Sequence, residues 1–195
     1  MKEIVIASNN SSKIEEIKQI MGGCFDRMYS PKELGIDIDV LESGGSFYEN
    51  ALIKARAISD LTGKSALADD SGLTAEALNG APGVFSARYA GYPADDKKNI
   101  EKLLNELSEQ KNRRAAFVCC IVIYNRDGSV ITAEGRVEGE ILEEERGEGG
   151  FGYDPVFYSY ELKKTFAQAT QQEKNSVSHR ARALKAIELI LRQGQ

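Results

Sequence analysis

The chain reads as an α/β protein built on a mixed β-sheet. Three observations predict this. Apolar runs of strand length alternate with helical apolar stripes through the first half, a turn signal at Asn125-Arg126-Asp127-Gly128 joins two long strand-like runs, and a helical stripe closes the chain. The hairpin makes the sheet mixed rather than purely parallel. A length of 195 residues, 42% of them hydrophobic, suffices for one substantial core and is short for two, so a single domain over 1–195 is expected.

Each element follows from local pattern. Ile4-Val5-Ile6-Ala7 is a buried first strand, and Ser8-Asn9-Asn10-Ser11-Ser12-Lys13 is rich in helix-capping side chains. The next helix carries Ile14, Ile17, Ile20 and Met21 on one face. Ser46 and Glu49 have capping-box spacing, and Phe47, Ala51, Leu52, Ala55 and Ile58 carry a second helix to about Leu61. It leads into Ala66-Leu67-Ala68, a strand-like run ending in Asp69-Asp70. After a Gly- and Pro-punctuated segment from Gly80 to Pro93, Ile100, Leu103, Leu104 and Leu107 mark a third helix, capped by Asp95 or Asp96. Ala115 to Tyr124 is the strongest strand run, and it pairs through the turn with Val130 to Leu142. A last helix spans about Ser178 to Arg192, and no internal repeat or low-complexity linker is present.

Composition excludes several classes. Lys plus Arg number 25 and Asp plus Glu 30, a net charge of −5 spread along the chain, which argues against a nucleic-acid binder; an anionic substrate would need a local basic pocket. No apolar run approaches membrane-spanning length, and Met1-Lys2-Glu3 leads into the first strand without a signal-peptide layout. A cytoplasmic protein without membrane contact is expected. Cys24, Cys119 and Cys120 are odd in number, with two of them adjacent in a strand, so neither a disulfide framework nor a zinc site follows.

Four stretches carry candidate chemistry. Asp69-Asp70-Ser71-Gly72 places paired carboxylates at a strand end, which suits a divalent metal such as Mg2+ shared with substrate phosphates; a polar turn closing the strand is the alternative. Ser8 to Lys13 lies between strand and helix, where free backbone N–H groups and the helix dipole favour a phosphate, although the P-loop spacing is absent and an ordinary helix cap uses the same residues. Gly147-Glu148-Gly149-Gly150-Phe151-Gly152-Tyr153-Asp154-Pro155 forms either a platform on which Phe151 or Tyr153 stacks on a base while Asp154 accepts hydrogen bonds, or a flexible turn with Phe151 in the core. Lys174 and Ser178-His179-Arg180 supply donors; no nucleophile-elbow pattern supports a triad around His179, the only histidine, for which a structural or capping role is the alternative.

Assembled, these residues resemble the Ham1-like family of inosine triphosphate pyrophosphatases, the dITP/XTP diphosphatases, over nearly the whole length. The marks are Ser8-Asn9-Asn10 with Lys13, Glu49-Asn50-Ala51 with Lys54-Ala55, Ala68-Asp69-Asp70-Ser71-Gly72-Leu73, Gly80-Ala81-Pro82-Gly83, Ser86-Ala87-Arg88-Tyr89, Gly149 to Pro155, Glu173-Lys174 and Ser178-His179-Arg180. The resemblance implies an elongated mixed sheet with flanking helices in two lobes, a nucleotide cleft between the lobes, and a homodimer; the aromatic segment of Val84, Phe85, Tyr89 and Tyr92 is either a surface for it or buried within the monomer. It implies Mg2+-dependent hydrolysis of non-standard purine nucleoside triphosphates (ITP, dITP, XTP) to the monophosphate and pyrophosphate. Carried over residue by residue, Asp70 is the catalytic carboxylate and a metal ligand, with Asp69 and Glu42 as further ligands. Ser8, Asn9, Asn10, Ser11, Ser12, Lys13 and Ser71 hold the triphosphate, and Phe151, Gly152, Tyr153, Asp154, Lys174, His179 and Arg180 hold the purine. One departure is Ser8-Asn9 where many members have Thr-Gly; serine keeps the hydroxyl and asparagine tolerates a left-handed backbone.

The implied chemistry is attack of a water at the α-phosphorus, with a carboxylate taking the proton. Lys174 or Arg180 would donate to O6 of the base and Asp154 would accept from N1, which adenine cannot satisfy. A pyrophosphatase for modified pyrimidine or methylated nucleotides would need a different base pocket. A non-catalytic nucleotide sensor would not require the doubled carboxylate.

Overall fold

The computed structural model describes residues 2–193; Met1, Gly194 and Gln195, part of the expected 1–195 domain, lie outside the described residues. The elements are β1 Glu3–Ile6, α1 Ser11–Met21, β2 Arg27–Tyr29, α2 Phe47–Thr62, β3 Ala66–Ala75, α3 Asp96–Glu106, β4 Arg114–Tyr124, β5 Val130–Ile141, β6 Phe157–Ser159, β7 Lys164–Thr165, α4 Gln171–Val177 and α5 His179–Gln193. The strands form one seven-stranded sheet in the order β2-β1-β3-β4-β5-β6-β7. It is mixed: β1 runs parallel to β2 and β3, and β6 antiparallel to β5 and β7. Among the described residues no helix is long and apolar enough to cross a membrane.

Local signals placed most elements to within a residue or two. Asn10 caps α1 by accepting from Lys13 N at 3.1 Å, and Asp95 caps α3 by accepting from Lys98 N at 3.2 Å. Ser46 caps α2, but the Glu49 carboxylate reaches past the cap to Gly45 N at 2.7 Å instead of closing a reciprocal box. The β4–β5 turn is closed by Asn125 N on Ser129 O at 2.9 Å, with Gly128 at φ +86°. The expectation that Asp69-Asp70 ends its strand is corrected: both lie inside the ten-residue β3, which continues through Leu73 to Ala75. Burial did not stop the strand because both carboxylates find partners, described below.

The chain divides into two compact units, the first of Met1–Asp70, Cys119–Gly135 and Arg180–Gln195, the second of Ser71–Val118 and Arg136–His179. In the first, strand alternation sorts side chains onto two packed faces. Ile4 and Ile6, Leu67, Cys119, Ile121 and Ile123 join Ile17 and Met21 of α1 and Leu184 and Ile187 of α5. The intervening Val5, Ala66, Ala68, Cys120 and Val122 join Ala51, Ala55 and Ile58 of α2. The core of the second unit gathers Leu73, Phe117, Val137, Phe157 and Phe166 with Ile100 and Leu103 of α3. There the Phe117 ring stacks on Phe166 at 5.7 Å and meets the edge of Phe157 at 4.7 Å.

Candidate active site

The first unit holds the acidic and phosphate-side candidates. Because Asp69 and Asp70 are consecutive in β3, their side chains leave the sheet in opposite directions. Asp69 follows Leu67 toward α1 and α5: its Oδ2 accepts from Lys13 Nζ at 3.1 Å and from Arg180 Nε at 3.1 Å, while Arg180 Nη1 reaches Glu16 Oε2 at 2.9 Å. Asp70 follows Ala68 toward α2: Asn50 Nδ2 donates to its Oδ2 at 3.1 Å. Lys54 Nζ lies 3.5 Å from Asp70 Oδ1 and 2.7 Å from Glu42 Oε1.

The three carboxylates expected to share a metal therefore do not form one group. Among the described residues no cluster of three or more His, Cys, Asp or Glu side chains converges. The physical reason is the strand period, which gives Asp69 to two cations and leaves Glu42 and Asp70 as the pair. That pair fits a hard divalent cation: its oxygens already share one ammonium, and Mg2+ is typically held by one or two carboxylates with waters and substrate phosphates completing its shell.

Opposite surroundings give the two neighbours opposite acidity. Burial pushes the Asp69 carboxyl up, but the Lys13 ammonium and the Arg180 guanidinium outweigh it and hold the group well below the usual carboxylate range. For Asp70 burial prevails over the attraction of Lys54, and repulsion from Glu42 adds to it, so this carboxyl is raised. Lys54 is desolvated too, yet Asp70, Asp69 and Glu42 together raise its pKa and keep it charged. A carboxylate made more basic beside fixed positive charge is suited to accept a proton.

Ser8 to Lys13 connects β1 to α1. Ser8 Oγ accepts from Asn10 N at 3.2 Å, and Asn9 Nδ2 donates to Ile38 O at 3.2 Å. Asn9 does not take the left-handed conformation that its replacement of glycine suggested; the positive-φ residues other than glycine among those described are Asn79 and Lys163. Ser11 and Ser12 are exposed in the first turn of α1, and Ser71 is half-buried directly after Asp70. Ser8, Asn9, Asn10 and Lys13, with Glu42 and Lys54, line a cavity of about 200 Å³.

The second unit holds the base-side candidates. Phe151 is 66% exposed, whereas Tyr153 is buried with its hydroxyl donating to Ser86 O at 2.8 Å, so Phe151 presents the free ring and Tyr153 belongs to the core. Asp154 is buried; its Oδ2 accepts from Phe151 N at 3.0 Å and pairs with Lys174. A Cβ on Gly150, at φ +77°, would collide with that carboxylate. Lys174 Nζ also lies 4.6 Å from the Phe151 ring centre. It is presented by α4, which opens with a capping box between Thr170 and Glu173. Gly152 N donates to Asp96 Oδ2 at 2.8 Å. His179 is buried and stacks on Phe117 at 5.1 Å.

The structure thus brings Phe151, Asp154 and Lys174 together, and places Arg180, expected at the purine, on Asp69 and Glu16. Sequence reasoning gave no site role to Asn50 or Lys54, quoted only as family marks, nor to Glu16, and read Asp96 only as a possible helix cap. A signal for the first two existed: spaced four apart, they share one face of α2.

The model of the Ham1 family matches residues 4–189. The dITP/XTP pyrophosphatase of Clostridium perfringens is 49% identical over 195 residues, 96% of each chain, and that of Desulforamulus reducens 48% identical over 193 residues, 97% of this chain and 96% of the relative. Among solved structures, the Staphylococcus aureus Ham1 protein superposes with a TM-score of 0.92 at 46% identity over the whole of both chains. The Mycobacterium abscessus nucleoside-triphosphatase / dITP/XTP pyrophosphatase does so with a TM-score of 0.82 at 40% identity, covering 95% of this chain and 98% of the other. A family match over residues 4–189, relatives near half-identical and the same fold in solved structures agree with the motifs read from the sequence: the chain belongs to the Ham1 family.

Proposed function

We propose that the protein is a nucleoside triphosphate pyrophosphatase that hydrolyses the non-standard purine nucleotides ITP, dITP and XTP, with Mg2+, to the monophosphate and pyrophosphate. The observation that carries this reading is the Asp70 carboxyl, raised by burial and sharing Lys54 with Glu42. Asp70 would take a proton from water as its oxygen bonds the α-phosphorus; the bond from that phosphorus to the bridging oxygen breaks, and pyrophosphate leaves with the electron pair. Held by Glu42 and Asp70, the metal would offset the charge of the triphosphate. Lys13, Lys54 and the backbone N–H groups at the start of α1 would bind phosphate oxygens. Arg180, committed to Asp69 and Glu16, would hold Asp69 in place to orient Lys13 rather than read the base.

In the second unit, Phe151 would stack on the purine, Lys174 would donate to O6 and Asp154 would accept from N1–H. Adenine reverses both edges and would offer neither the buried Asp154 nor the half-buried Lys174 a partner on the base, a mismatch able to discriminate on the order of ten-thousand-fold. The relatives named dITP/XTP pyrophosphatase support the same substrate class. A homodimer belongs to this reading, and Phe85 and Tyr92, 55% and 82% exposed, are candidates for its surface. Pyrophosphate release from a panel of triphosphates, with and without Mg2+, tests the function. ITP, dITP and XTP should turn over with metal alone; faster release from dUTP or ATP than from ITP would refute it. A monomer mass by light scattering at micromolar concentration would refute the dimer.

A further inference from the structure

We propose that Asn50 is a positioning residue that sets the placement of the Glu42 and Asp70 carboxylates relative to each other. This rests on the reading of those two groups as the metal-holding and proton-accepting pair.

Asn50 is fully buried in the first turn of α2. Its side chain makes two bonds of opposite sense: Oδ1 accepts from Gly44 N at 2.8 Å, and Nδ2 donates to Asp70 Oδ2 at 3.1 Å. A backbone N–H can only donate and an ionised carboxylate can only accept, so the residue between them must offer one acceptor and one donor in a rigid plane. A primary amide does this; aspartate lacks the donor, and an apolar residue would take this partner from both Gly44 N and Asp70 Oδ2, leaving Asp70 only its Lys54 contact. Gly44 stands two residues from Glu42. The amide is thus a strut from the segment that carries Glu42 to the carboxylate on β3.

The approach of that segment to α2 is close enough to exclude a side chain. A Cβ at Gly44 would lie 2.6 Å from Glu49 Cβ, 2.8 Å from Asn50 Oδ1 and 3.0 Å from Asn50 N. The segment has anchors independent of Asn50: Gly45 N donates to Glu49 Oε2 at 2.7 Å, and Ser46 Oγ accepts from Glu49 N at 3.2 Å. Loss of the amide should therefore leave the segment docked on α2 while the spacing of the two carboxylates loosens. Groups that orient metal ligands in this way typically carry ten- to hundredfold of metal affinity or activity.

The test uses Asn50→Ala and Gly44→Ala, the second of which keeps the amide and forces the segment away. Each is measured for Mn2+ binding to the protein alone by electron paramagnetic resonance, for kcat with ITP, and for the ITP to ATP specificity ratio. The expected result in both is Mn2+ affinity and kcat lowered about tenfold to hundredfold, with the base ratio unchanged. A folded Asn50→Ala that binds Mn2+ and turns over ITP within about twofold of wild type, below the range for such ligand-orienting groups, overturns the proposal. If Asn50→Ala does not fold, wild-type metal affinity in Gly44→Ala overturns it equally. Asp70→Asn run alongside separates the two levels: if it stays active, the reading of the pair fails, and if it is inactive while Asn50→Ala is normal, the strut alone fails.

Discussion

Replacing Asp69 by asparagine removes the one negative charge that Lys13 and the buried Arg180 share. The side chains of Asp69 and Arg180 are 1% and 9% exposed, and that of Lys13 is 24% exposed. Breaking a buried pair by deleting one partner costs about 3–5 kcal/mol. Lys13 can turn toward water and Arg180 retains Glu16, so the lower end, about 3 kcal/mol, is expected for Asp69→Asn. Asp70→Asn, one residue on and chemically identical, should do the reverse. A depressed carboxyl such as Asp69 contributes stability that is present above its unfolded pKa and lost as pH falls through its folded one. A raised one such as Asp70 contributes stability that is present below its unfolded pKa and lost as pH rises through its folded one. Ionisation of Asp70 thus subtracts from stability as pH rises, and Asp70→Asn should be neutral or slightly stabilising while it removes activity by at least about hundredfold, the scale of a lost general base. The assay is urea unfolding followed by circular dichroism. With a slope near 2 kcal/mol per molar, the midpoint of Asp69→Asn should fall by about 1.5 M. A midpoint within about 0.3 M of wild type, or a greater loss in Asp70→Asn than in Asp69→Asn, would refute the assignment of opposite environments.

Lys174→Met should lower kcat/KM for ITP about tenfold to hundredfold and that for ATP far less, since a charge-assisted hydrogen bond to O6 exists only with the oxopurine; equal losses would place Lys174 at the phosphate end. Gly150→Ala combines a strained positive φ, at a cost of about 1–2 kcal/mol, with displacement of Asp154, so the ITP to ATP ratio should narrow while Mn2+ binding stays normal; an unchanged ratio would count against Asp154 as a base contact. Glu33 accepts from Ser30 N and from Lys18, which hold its carboxyl down at about 2 from an ordinary 4.5. Its contribution is complete above the higher value and is lost as pH falls to the lower, so the melting-temperature deficit of Glu33→Gln should be present at about pH 6 and gone by about pH 2; a deficit that persists in acid would assign it to packing.

Some of this was legible in the chain because the signals act over a few residues. Ile14, Ile17 and Met21 mark a helix at any location, and Asn10, Ser46 and Asp95 cap their helices through a backbone N–H three positions on. The Asn125–Gly128 turn placed the hairpin for the same reason. By contrast β2, β6 and β7 hold two or three residues each and α4 seven, too few to show a period. The family was equally readable, since its marks are ordered short motifs.

The tertiary structure alone decided what the acidic pair is. In sequence Asp69 and Asp70 are a doublet with one apparent purpose. In the fold, the strand period sends one toward Lys13 and toward Arg180, 111 residues further along, and the other toward Asn50 and Lys54 on α2. Packing outside the strands likewise made Phe151 the exposed ring and Tyr153 the buried one, and placed Arg180 on Asp69. Charge and hydrogen-bonding capacity are properties of a residue and can be read from it. Acidity, exposure and partners are properties of a place, set by chain segments that local pattern does not bring together.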